Sequence, residues 1–114
     1  MAYKTEIRIL NPDRKNYTTT LSTELLDKVK LIAVEQDTSY NFLLEDGIQY
    51  VLDNFTNKGD YKKRQKPSDR VKVNTTYSEV LFKQLKTRAI YLGAKNNDLI
   101  EIGMRYIIEK IHKK

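Results

Sequence analysis

The chain contains no cysteine. It therefore has no disulfide and no thiolate metal site, which fits a reducing cytoplasm. Histidine occurs once, at position 112, within the terminal HKK. The four glycines are scattered, and neither GxGxxG nor GxxxxGK[ST] occurs, so no phosphate-cradling loop is encoded. These scarcities leave little for catalysis, and the chain does not read as an enzyme. No cofactor and no metal are expected. The longest apolar runs are four or five residues, whereas a membrane span needs about 20. The opening MAYKTEIRIL lacks the apolar core of a signal peptide. The expectation is a soluble, cytoplasmic protein with no membrane partner.

Positive charge is plentiful. Across 114 residues, 21 Lys and Arg stand against 15 Asp and Glu, a formal net charge of +6. A length of this kind suits one compact domain, and a basic excess on it favours anionic partners such as nucleic acid. The charge is uneven. Residues 13–55 carry a net −4, residues 56–68 a net +4 and residues 69–114 a net +5.

The chain also repeats itself. Shifted by 56 positions, residues 13–55 align with 69–111 without a gap, and 13 of the 43 pairs are identical. They are Asp13/Asp69, Arg14/Arg70, Thr19/Thr75, Thr20/Thr76, Ser22/Ser78, Leu25/Leu81, Lys30/Lys86, Ala33/Ala89, Asn41/Asn97, Leu43/Leu99, Glu45/Glu101, Gly47/Gly103 and Tyr50/Tyr106. Two copies do not make a solenoid; they read as one duplicated unit.

Each copy predicts a strand, a helix and a second helix. In KNYTTTLS, Tyr17, Thr19 and Leu21 alternate with Asn16, Thr18 and Thr20; in VKVNTTYS, Val71, Val73, Thr75 and Tyr77 alternate with Lys72, Asn74 and Thr76. That is the period of a strand with one buried face. Ser22 and Ser78 stand where an N-cap belongs. The first helices then bury Leu25, Val29, Ile32 and Ala33, and Leu81, Leu85, Ala89 and Leu92, and end near Asp37 and Gly93. The second helices start near 38–41 and 95–97, with apolar positions Leu43, Leu44, Ile48, Val51, Leu52 and Phe55, or Leu99, Ile100, Met104, Ile107, Ile108 and Ile111. Gly47 and Gly103 fall in mid-helix, where glycine costs about 1 kcal/mol relative to alanine. Such a residue, placed twice, implies that another backbone passes close by.

One unit of about 43 residues has a lone strand and too little core. Two units complete each other if their strands pair antiparallel over four helices. The chain is then mainly α with a two-stranded antiparallel ribbon. One ribbon face rests on the helices and the other displays Asn16, Thr18, Thr20, Lys72, Asn74 and Thr76. A ribbon of this width fits the major groove of B-DNA. The expected organisation is an N-terminal arm (1–13), a first unit (14–55), a basic linker (56–69) and a second unit (70–114).

At this point the chain resembles the ribbon-helix-helix DNA-binding family, which includes the Arc and Met repressors. The resemblance covers residues 15–55 and 71–111. It rests on the polar/apolar strand, Leu21-Ser22 and Tyr77-Ser78 at the strand–helix junctions, the alanine late in the first helix, and the short turn into a second helix. Two copies in one chain resemble the tandem TraY proteins of conjugative plasmids, which implies a pseudo-dimer within a monomer, free to multimerise on DNA. The resemblance implies that the six outward strand residues read bases, and that the second-helix N-termini hold phosphates. Those lie around Ser39, Tyr40 and Asn41, and around Lys95, Asn96 and Asn97. The first copy departs from the family by lacking a cation among its readers, unless Arg14 or Lys15 reaches in. The expected partner is double-stranded DNA, for a repressor of a mobile element or a relaxosome accessory protein, nucleoid-associated in a bacterium. The alternative is a module that holds a relaxase or another protein. The linker cluster Lys62, Lys63 and Arg64 reads either as a phosphate-contacting arm or as part of a solvated tether. The opening YKTEIRIL reads either as an extra strand or as an arm.

Overall fold

A computed structural model describes residues 13–112. The expected N-terminal arm therefore lies, but for Asp13, outside the described residues. The elements are β1 (Arg14–Ser22), α1 (Thr23–Glu35), α2 (Tyr40–Asn54), a 3-10 turn (Lys58–Asp60), β2 (Arg70–Ser78), α3 (Glu79–Leu92) and α4 (Asn96–His112). The described residues are mostly helical, with four α-helices and one two-stranded antiparallel sheet. No helix among the described residues is long and apolar enough to cross a membrane.

Each junction from strand to helix is built by a serine. The hydroxyls of Ser22 and Ser78 accept from the N–H groups of Leu25 and Leu81 at 3.4 and 3.3 Å. The first helical N–H in each case donates to the residue just before the opposite strand: Thr23 N–H to Asp69 O, and Glu79 N–H to Asp13 O. The far ends of α1 and α3 are also alike. Asp37 (φ 57°) and Gly93 (φ 74°) both adopt the left-handed conformation that closes a helix. Glycine takes it without strain, whereas a residue with a Cβ pays roughly 1–2 kcal/mol.

The strands pair in one register, from Arg14 opposite Ser78 to Ser22 opposite Arg70. Thr18 faces Asn74 at the centre, the residue 56 positions further on. Beneath the ribbon, α2 and α4 cross at Gly47 and Gly103. A Cβ built on Gly47 would stand 2.7 Å from the backbone carbon of Gly103, and one on Gly103 2.5 Å from that of Gly47. Three residues on, Tyr50 and Tyr106 stack at 3.8 Å between ring centres. The core is one cluster to which the ribbon, all four helices and both halves contribute.

Two sequence expectations need correction. On the first helices the buried residues are Leu26 and Phe82, while Leu25 and Leu81 are only partly buried. The serine caps fix the helix phase, and one residue of shift rotates a side chain by about 100°. Phe82 stacks on Tyr17 at 4.0 Å and so roofs the strand. Val71, expected inward, is 45% exposed, because it lies at the ribbon's end.

Gly47→Ala should lower stability by about 2 kcal/mol in denaturant unfolding, despite alanine's better helix propensity, because a rigid backbone blocks the new methyl. Asp37→Gly should raise it by about 0.5–1 kcal/mol, and Gly93→Ala should lower it by a similar amount.

Candidate nucleic-acid interface

The uncovered ribbon face holds all six residues expected to read bases. They stand as three cross-strand pairs: Asn16 with Thr76, Thr18 with Asn74, and Thr20 with Lys72. Asn16, Thr18, Lys72 and Asn74 are exposed. Thr20 and Thr76 are half-buried, because the start of a second helix leans on each. The Asn97 amide donates to Thr20 Oγ1 at 2.9 Å, and the Asn41 amide to Thr76 Oγ1 at 3.0 Å. Each threonine keeps its own O–H to donate and its methyl to present. The side chains of Asn41 and Asn97 are thus turned onto the ribbon; at these helix starts it is the main chain that is offered.

Those bonds set the N-termini of α2 and α4 at opposite ends of the ribbon. Unlike Ser22 and Ser78, Ser39 makes no side-chain cap bond. Its counterpart Lys95 has no acceptor in its side chain. Leading N–H groups of an α-helix have no intrahelical partner, and the dipole there favours an anion. Ser39 and Lys95 are exposed, and Tyr40, Asn41, Asn96 and Asn97 are half-buried.

Arg14 does not reach the reading face. Its guanidinium donates to Glu45 at 3.2 Å and to Thr76 O at 3.0 Å. Arg70 holds Glu101 through two bonds, of 3.0 and 2.6 Å. Each carboxylate also accepts a backbone N–H from the other half: Ser22 N–H donates to Glu101 at 2.8 Å and Ser78 N–H to Glu45 at 2.6 Å. Glu101 is 0% exposed and Glu45 4%. On the sequence alone these two carboxylates have no assigned role. The sequence signal was present, since Arg14/Arg70 and Glu45/Glu101 are identical pairs. Lys15 also stays off the face, paired with Glu79 at 2.9 Å. The first strand therefore offers Asn and Thr only.

The linker folds back on α4. The Tyr61 hydroxyl donates to the Asp98 carboxylate. Burial, then that bond, pushes the Tyr61 phenol up to about 12. Further along, Asp69 caps α1: its carboxylate accepts from Glu24 N–H at 2.9 Å and from the Ser22 hydroxyl at 3.1 Å. The Glu24 N–H bond, followed by the weaker ones, holds the Asp69 carboxyl below its ordinary value. Between these anchors Lys63, Arg64 and Lys66 line a concavity with Lys95 and Asn97. Three linker cations thus gather at the α4 end of the ribbon. Lys62 is exposed but not in that lining. A second, shallow depression runs over the ribbon itself, lined by Thr18, Thr19, Thr20, Lys72, Asn96 and Asn97.

Comparison of the chain with protein-family models, with curated proteins and with solved structures gives no match. The functional reading therefore rests on this geometry.

Glu101→Gln keeps an acceptor for Ser22 N–H but leaves the Arg70 guanidinium, in a nearly closed site, with only the Asp98 carboxylate at 3.9 Å. It should cost about 3 kcal/mol in thermal or denaturant unfolding. The phenol of Tyr61 supports the fold fully below pH 10 and loses that support as pH rises through about 12. An ultraviolet titration should show one tyrosine ionising near 12 that is absent from Tyr61→Phe.

Proposed function

We propose that this chain is a ribbon-helix-helix pseudo-dimer that binds double-stranded DNA sequence-specifically, with the β1–β2 ribbon in the major groove. The observation that carries this reading is the uncovered ribbon face: three cross-strand pairs of polar side chains, five of them short and the sixth Lys72, with no apolar residue among them. Its chemistry suits base edges. Asparagine can bond adenine N6 and N7 together, lysine can donate to guanine, and threonine can meet the thymine methyl. The N-termini of α2 and α4 flank that face and suit backbone phosphates. The contacts that join the halves recur 56 positions apart, which supports two equivalent units around a dyad at Thr18 and Asn74.

The two half-sites on the DNA differ on this reading. Lys72 and Asn74 belong to the second unit, and the linker cations gather beside it. That half supplies guanine readout and most of the phosphate attraction. The first unit, acidic overall, reads with asparagine and threonine. Such a protein acts as a repressor of a plasmid, phage or other mobile element, or as a relaxosome accessory protein. The net −4 of residues 13–55 favours one second reading, a module that docks on a basic protein such as a relaxase.

Selection from a random duplex pool near physiological salt tests the proposal. A sharp motif should be enriched and then lost with an Asn74→Ala, Thr76→Ala double variant. Asn74→Ala alone should relax preference by about 1–3 kcal/mol at one base pair. Lys63→Ala should instead weaken all duplexes alike and flatten the salt dependence. No enriched motif from the folded protein would transfer the weight to the protein-docking reading.

A further inference from the structure

Two exposed apolar side chains occupy the same place in the two halves. Val34, late in α1, is 78% exposed, and Ile90, late in α3, is 83% exposed. Single exposed apolar residues are ordinary. What surrounds these two is not. Helical spacing puts Glu24, Asp27, Leu31, Val34 and Glu35 along one solvent side of α1. The equivalent positions of α3 hold Val80, Lys83, Thr87, Ile90 and Tyr91.

The apolar centre is common to both stripes, and the charge is reversed. Three carboxylates on α1 stand against one ammonium on α3. Lys58 adds a second cation there, 5.6 Å from the centre of the Tyr91 ring. On α1, Glu24 is partly neutralised by Lys28 at 3.4 Å. Asp27, Glu35 and Lys83 have no ion-pair partner among the described residues.

Shape is complementary as well. Leu31 is 55% exposed and protrudes from the α1 stripe, while α3 has the smaller Thr87 in its place. Beside Thr87 runs an open groove between α2 and α3, whose walls include Val80, Lys83, Gln84 and Leu52. Asp53 in that groove is already engaged by the Gln49 amide at 2.9 Å.

We infer that the α1 stripe of one molecule docks on the α3 stripe of a second copy of this chain, head to tail. Val34 meets Ile90, Leu31 enters the groove beside Thr87, and Asp27 and Glu35 face Lys83 and Lys58. α1 and α3 pack on the central helices rather than on one another, so each molecule keeps one stripe of each kind free. A heterologous contact of this sort is not used up by one pair of copies, and it continues into a directed row or ring. The inference does not depend on DNA binding. On a duplex it would set successive molecules in one orientation.

Sedimentation of the free, full chain at low ionic strength, up to about 1 mM, provides the test. The wild type should form a concentration-dependent series that continues past two copies and recedes with added salt. Asp27→Lys sets lysine against Lys83 and Lys83→Asp sets aspartate against Asp27, so each alone turns one attractive contact repulsive and should lower the association constant at least about tenfold. Mixing the two variants restores opposite charges wherever unlike copies meet and should restore association, with the two variants alternating. All these positions are exposed, and unchanged thermal unfolding confirms that the variants fold. A chain that stays at 13.4 kDa throughout would overturn the inference. So would association that stops at two copies, or association indifferent to both substitutions.

Discussion

The close crossing of α2 and α4 is the constraint on which the rest depends. Where Gly47 meets Gly103 neither helix carries a side chain, and the backbones touch. No other residue allows that separation. Tyr50 and Tyr106 can stack only because the helices are already this near. Two residues before each glycine, Glu45 and Glu101 reach the start of the other half's first helix, where they accept the Ser78 and Ser22 N–H groups. Each also fixes an arginine of its own half. Strand ends, helix starts and central helices are thereby locked in one frame.

That frame explains why the ribbon can present a polar face. An isolated two-stranded ribbon is marginal in water. Here Leu21, Val73 and Tyr77 are buried beneath it, and the Phe82 ring packs against both Tyr17 and Tyr77. The strands therefore need nothing from their other side, which stays free for a partner. On the proposed reading the arginines are held inside to keep the frame rigid, and base recognition is left to amides, hydroxyls and Lys72. The cations for the DNA backbone then come from Lys95 and the linker.

Much of this was legible in the sequence, for identifiable reasons. Alternation in NYTTTL and VKVNTTY marked two strands with one apolar face. Ser22 and Ser78 marked helix starts because their oxygens satisfy free N–H groups. Mid-helix glycines announced a close approach because nothing else excuses their cost. What stayed hidden was long-range or finely phased. Leu25 and Leu26 are adjacent and both apolar, so the pattern could not say which faces inward; the cap decides. Nothing local marks the role of Glu45 and Glu101, since their partners lie 31 residues away or in the other half. The linker carries no periodicity. Its return to α4 hangs on the bond between Tyr61 and Asp98 and on Asp69, which caps α1 where the linker meets β2.

The central claim is that the ribbon's outer face is the surface that meets DNA. The most direct measurement is an amide chemical-shift titration of the protein with a duplex it retains, near physiological salt. The account predicts the largest changes at residues 16–20 and 72–76 and at the first turns of α2 and α4, with smaller ones at 62–66. Changes confined to α1 and α3, with the ribbon amides unmoved while the duplex is bound, would contradict it.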